Sequence, residues 1–169
     1  DENGVYQISN AGQLYWFAGL VNGTLDGVKQ NLSANAALVN DISVNGTKEQ
    51  TNVSNYDGTS ENTWRQWTPI GNTSKSYAGI FDGNEKTISG LYFNDEAAEH
   101  VGLFGYAKGE IKNVAVVNSY FKGSEYVGGV CGEIFNQTIT NCYNTGTVSG
   151  AYFSGGVCGL NYGGTITNC

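Results

Sequence analysis

The sequence predicts an all-β fold: a right-handed, single-stranded parallel β-helix, or solenoid, of about four coils with an N-terminal capping α-helix. Three observations carry this expectation. Gly102-Leu103-Phe104-Gly105, Gly129-Val130-Cys131-Gly132 and Gly156-Val157-Cys158-Gly159 recur at a step of 27 residues. The chain is made for turning without breaking strands, with 25 Gly and 20 Asn but one Pro among 169 residues. Helical periodicity occurs once, close to the start.

Taken in order, Ser9 or Asn10 is a candidate N-cap, and Leu14, Phe17, Leu20 and Val21 follow at helical spacing. Asn22-Gly23 then stops the helix. A solenoid end exposes strand edges and a core cross-section, so residues 10–22 read as its cap. Ala37-Leu38-Val39 and Ile42 look like the first coil. Residues 45–66 are polar and turn-rich, which suits a long surface excursion, and Trp67-Thr68-Pro69-Ile70-Gly71 returns to the coil.

The regular coils follow. Gly79-Ile80-Phe81-Asp82-Gly83 reads as an earlier copy of the repeated pattern. A second element recurs as Thr87-Ile88-Ser89, Glu110-Ile111-Lys112, Thr138-Ile139-Thr140 and Thr165-Ile166-Thr167. A third begins at Leu91, Val114, Cys142 and Cys169. None has room for a helix. Stacked coils would place Ile111, Ile139 and Ile166 in one inward column, spaced about 4.8 Å apart. Glycines are expected at left-handed corners, and Asn113, Asn141 and Asn168 in an amide ladder. A sandwich of hairpins would give no constant step. The expected organisation is one domain over 1–169, with cap, first coil and excursion in 1–75 and regular coils in 76–169. The sequence stops inside a strand element at Cys169, so the chain is expected to be part of a longer protein or to meet a partner there.

Composition removes several classes. Aromatic residues make up 12% and charged residues 14%, the reverse of a disordered chain. Glycine does not fall at every third position, so the chain is not collagen-like. A net charge of −7 with eight Lys plus Arg offers no basic stripe, so no nucleic-acid partner is expected. No apolar run approaches the ~20 residues of a membrane span.

These residues also resemble a known family. Gly102-Leu103-Phe104-Gly105 is similar to the GLUG motif of bacterial surface proteins, and the patterns at 129–132 and 156–159 look like variants of it. Phe81-Asp82-Gly83-Asn84-Glu85-Lys86-Thr87-Ile88-Ser89-Gly90-Leu91 resembles that family's lead-in segment, with Glu85 standing where Gly is usual. The resemblance covers roughly residues 67–169. It implies a secreted or cell-surface bacterial protein, often long and multidomain, in some cases beside an IgA-protease-like peptidase. No catalytic residues belong to such a repeat, so none are carried over.

The residues themselves offer little chemistry. His100 is the single histidine and reads as a solvated residue of the loop Asp95–Val101. No Cys-x-x-Cys occurs, so no metal site and no cofactor are expected. Cys131 stacks over Cys158 and Cys142 over Cys169. In-register strands hold Cβ atoms near ~5 Å apart rather than the ~3.8 Å a disulfide prefers, which favours free thiols over two bridges. Asp95, Glu96 and Glu99 form the densest acidic cluster, read as a solvated loop with weak Ca²⁺ binding as the alternative. The binding candidates are aromatics: Tyr92 and Tyr143, expected to face outward, and Trp64 and Trp67, which bracket the excursion and either line a groove or simply plug it. The leading functional expectation is a non-enzymatic spacer or adhesive module, extracellular or on the cell surface. Its expected partners are a host glycan, a host protein or adjacent domains. The alternatives are a carbohydrate-binding adhesin proper and a polysaccharide lyase or hydrolase on a β-helix.

Overall fold

The structure, a computed structural model, describes residues 4–45 and 64–169; most of the predicted excursion, residues 46–63, lies outside the described residues. Strands dominate, and every strand pairing among the described residues is parallel. They form a β-solenoid of about 5 turns with one short helix near the N-terminus. The extra turn relative to expectation comes from Val5–Ile8, which pairs with Asn35–Leu38 ahead of the predicted first coil.

The coils that start at Ile80, Glu110 and Thr138 each run through four walls. The first wall is one long sheet ordered Val5–Ile8, Asn35–Leu38, Ile80–Ser89, Glu110–Val117, Thr138–Thr140, Thr165–Thr167. The second stacks Tyr92–Asn94, Tyr120–Lys122 and Thr147–Ser149. The third stacks Glu99–Val101, Glu125–Gly128 and Tyr152–Gly155. The fourth stacks Phe104–Ala107, Cys131–Phe135 and Cys158–Tyr162, with Ile70 bridged below Phe104. Cys131 faces Cys158 and Phe104 faces Cys131, so the 27-residue step is the circuit of one coil.

Inward columns make the core. Phe81, Ile111, Ile139 and Ile166 are in register, and the first three are fully buried. The N-terminal end is closed by the helix Ala11–Asn22. The Asn10 side chain accepts the Gln13 N–H at 3.0 Å, and Gly23 ends the helix in the left-handed region at φ 66°. Leu14, Phe17, Leu20 and Val21 lie on the buried face, and Phe17 meets both Phe81 and Tyr77 with centroids 6.1 Å apart. Asn22 ties this cap to the returning chain, donating to the Pro69 carbonyl and accepting from Gly71 N–H. Among the described residues no helix is long and apolar enough to cross a membrane.

The earliest repeat copy is aligned differently from expectation. Ile80–Asp82 pairs with Glu110–Lys112 in the first wall, and Ile70 occupies the place below Phe104. Thr87–Ser89 pairs with Ala115–Val117 rather than with 110–112, and Leu91 is bonded to Tyr120 rather than lying in the Val114 column. The physical reason is a register shift between Asp82 and Lys86, where Asn84 and Glu85 take φ 50° and 61°. The second half of that strand therefore slides relative to the pattern read from sequence.

Glycine's role is twofold. Gly71, Gly90 and Gly163 take left-handed corners as expected, and Asn84, Asn113, Asn118, Asn136, Asn141 and Asn168 share that role. The motif glycines serve close approach instead. A Cβ on Gly105 would lie 2.5 Å from the Gly71 carbonyl oxygen, and one on Gly132 2.6 Å from that of Gly105. Backbone of the neighbouring coil fills the space a side chain would need.

Candidate functional site

Strand alternation puts Tyr92 outward, in register with Tyr120, yet it is only 2% exposed. Trp64 and Tyr120 cover its ring, with centroids at 6.4 Å and 5.8 Å. The expectation that Tyr92 offers a surface ring is therefore corrected: the returning chain lies over it. Trp67 is corrected for a different reason. It is a core plug, 1% exposed, and its indole N–H donates to the Gly102 and Leu103 carbonyls at 3.1 and 3.2 Å. Trp64 is half-buried against Tyr92. Tyr143 does face water, at 51% exposure.

Tyr143 stands at a groove of about 230 Å³ lined by Glu85, Lys86, Asn113, Val114, Ala115 and Asn141. The floor follows from the stack. Tyr143 is in register with Ala115, and Ala115 with Thr87, so small side chains flank the ring along the wall. Beside it runs the predicted amide ladder. Asn168 donates to Asn141 at 3.2 Å, Asn141 to Asn113 at 3.0 Å, and Asn113 to the Asp82 carboxylate at 3.0 Å. The left-handed φ near 54° at Asn113 and Asn141 explains why Asn rather than a bulkier residue stands there. A carboxamide has two N–H donors and two acceptor lone pairs. Asn113 and Asn141 each use one of each within the ladder. Their remaining capacity is open to a ligand. Sequence reasoning found the ladder and Tyr143 separately; their adjacency, with Glu85 and Lys86, needed the fold.

A second cluster lies where the third wall meets the fourth. His100, Tyr126 and Phe153 share one corner of successive coils, all with positive φ. Their rings stack, His100 on Tyr126 at 4.6 Å and Tyr126 on Phe153 at 5.2 Å with planes 6° apart. His100 Nε2 lies 3.0 Å from Glu133 Oε2, with both side chains about 12% exposed. The solvated-loop reading of His100 is thus corrected. It belongs to the strand Glu99–Val101, packed by a ring and paired with an acid. The 26- and 27-residue spacing of these three rings is visible in the sequence once the coil step is known. The stack covers both faces of Tyr126, while Phe153 at its end is exposed.

The remaining candidates do not converge. In the acidic loop, Asp95 accepts the Ala97 N–H as a turn, while Glu96 is engaged by Lys122, whose charge and hydrogen bond hold its carboxyl below the usual range. Among the described residues no group of three or more His, Cys, Asp or Glu gathers as a metal site. The four thiols are free in this structure. Burial pushes the Cys131 thiol well up, and hydrogen bonding to Cys131 brings Cys158 down.

The architecture defines a parallel β-solenoid repeat module, with its distinguishing side chains on the outer walls. Residues 123–149 match the family model of the GLUG motif, and they span one full circuit of the solenoid. The chain is similar to halomucin of Haloquadratum walsbyi, with 38% identity over 76 residues, 44% of this chain and 1% of that protein's length. The chain therefore spans a very small fraction of that relative. No solved structure matches it. The motif and this likeness point to a structural module of a surface or secreted protein.

Proposed function

We propose that this chain is a non-enzymatic, stiff module of a secreted or cell-surface protein, acting as a spacer that carries an interaction surface. The observation that supports it is the parallel stack of successive coils through four walls, with each coil adding about 4.8 Å of length. A rod built this way lengthens by repetition at constant cross-section. The halomucin likeness, a short stretch of a far longer protein, supports use as one unit among many.

A non-enzymatic role is supported by the scattering of the acids. Glu110 lies on the first wall, Glu99 and Glu125 are neighbours on the third, and Glu133 on the fourth is taken up by His100. Duplicating residues 123–149 in place should lengthen the particle by about 4.8 Å in small-angle X-ray scattering without widening it. A particle that widens or becomes flexible overturns the spacer reading. Cleavage of any substrate in a polyuronate panel overturns the non-enzymatic one.

A further inference from the structure

The groove at Tyr143 differs from the stacked and covered rings of the walls, and from Tyr152, which is 65% exposed but has the acid Glu125 as its neighbour in register. His100, Tyr126 and Phe153 stack on one another, as do Phe135 and Tyr162 at 5.1 Å with planes 4° apart; Phe153 and Tyr162 end their stacks and are exposed there. Tyr92 is covered. Tyr143 is half-exposed, and among the described residues no other ring lies against it; its neighbours in register are Ala115 and Thr87. A ring face is therefore available, next to a column of carboxamides with unused donors and acceptors.

We propose that this groove binds a single neutral sugar ring of a glycan, with Tyr143 stacking on its C–H face and Asn113 and Asn141 hydrogen-bonding its hydroxyls. The groove, about 230 Å³, falls below the usual range for drug-sized ligands, so it takes one ring rather than an extended chain. Glu85 and Lys86 line it side by side with opposite charge, which favours a neutral ligand over an acidic or basic one. Two competing ligand classes fit less well. An extended peptide adds to an open strand edge, whereas on the groove side Tyr143–Asn144 is already paired with Ala115–Val116. A nucleic acid needs a basic surface, and the net charge is −7. A pyranose has what the site asks for: one apolar face and a rim of hydroxyls.

This inference rests on the module being displayed on an outer surface, so its test reads ligand and rod separately. The isotope-labelled chain is titrated with the methyl glycosides of glucose, galactose, mannose and N-acetylglucosamine and followed by NMR. At least one glycoside should shift the side-chain amide signals of Asn113 and Asn141 and the ring signals of Tyr143. Tyr143→Ala should weaken that binding about tenfold, while Tyr143→Phe, which keeps the ring face, should bind like the parent. An unchanged backbone amide spectrum in both variants shows that the fold is intact. The proposal is overturned if no glycoside moves these signals or if Tyr143→Ala binds equally well. X-ray scattering on the same samples reports the rod, so loss of sugar binding with the rod intact sinks the site alone.

Discussion

The first turns and the last turns of this solenoid are held by different means. At the N-terminal end, large residues used once each close the stack. Phe17 of the helix meets Phe81 and Tyr77, Trp67 fills the space beneath the motif at 102–105, and the Tyr77 hydroxyl donates to the buried Ala34 carbonyl at 3.0 Å. In the later coils the same small set of contacts is repeated: Ile over Ile, Cys over Cys, Asn over Asn. The last coil buries less, with Ile166 37% exposed where Ile139 is fully buried. None of residues 134–169 is charged. A one-off plug sets where the stack begins, while a ladder adds the same energy at each step. The two regions should therefore respond differently to equivalent changes.

The largest contrast is expected in the aromatics. Phe81→Ala empties a buried site between Phe17 and Phe104 and should cost about 3–5 kcal/mol in denaturant unfolding. Phe153→Ala removes a half-exposed ring stacked on Tyr126 and should cost about 1 kcal/mol. Equal costs would break the distinction between plug and ladder. Next come two glycines of the same motif position. A Cβ on Gly129 would meet the Asn144 side chain and lie 2.5 Å from the Gly156 carbonyl oxygen, whereas Gly156 has nothing within 4 Å. Gly129→Ala should destabilise by about 1–3 kcal/mol. Gly156→Ala should be neutral or stabilise by about 0.4–1 kcal/mol, through the unfolded chain.

The amide ladder gives a finer comparison. Asn141→Gly keeps the left-handed corner and loses the ladder bonds, while Asn141→Ala loses both. Thermal unfolding should place the alanine variant lower by about 1 kcal/mol. A further effect is electrostatic and appears only at alkaline pH. Burial pushes the Cys142 thiol up to about 11 from an ordinary 9.0. The unfolded chain gives up that proton first, so stability is complete below about pH 9 and falls as pH rises toward 11. Cys142→Ala should flatten that alkaline decline. Alkylation near neutral pH should modify exposed Cys169 well before buried Cys131 and Cys142.

Particular residues show what was legible. The motif at 102, 129 and 156 revealed the coil length because identical coils need identical residues at identical positions. The earliest copy misled because Asn84 and Glu85 shift the register in the middle of a strand, which a pattern of apolar residues does not mark. Tyr92 shows a similar limit. Alternation told which wall face it occupies, but the chain that covers it returns from elsewhere. For the candidate site, Tyr143 and the Asn column were both visible, while their shared groove joins residues from three coils.

By itself the sequence determined the class of fold, the helical cap, the coil step and the asparagine and cysteine columns. Each of these is a local preference repeated at a fixed interval, and repetition can be read along a line. Only the tertiary structure decided the register of the first regular coil, the burial of Tyr92 and Trp67, the pairing of His100 with Glu133 and the groove beside Tyr143. Those depend on which residues of different coils, and of the chain returning at Trp64, come to occupy the same space. The motif glycines join both halves. Their positions were plain from the outset, but the reason for them, a neighbouring carbonyl where a Cβ would sit, exists only once the coils are stacked.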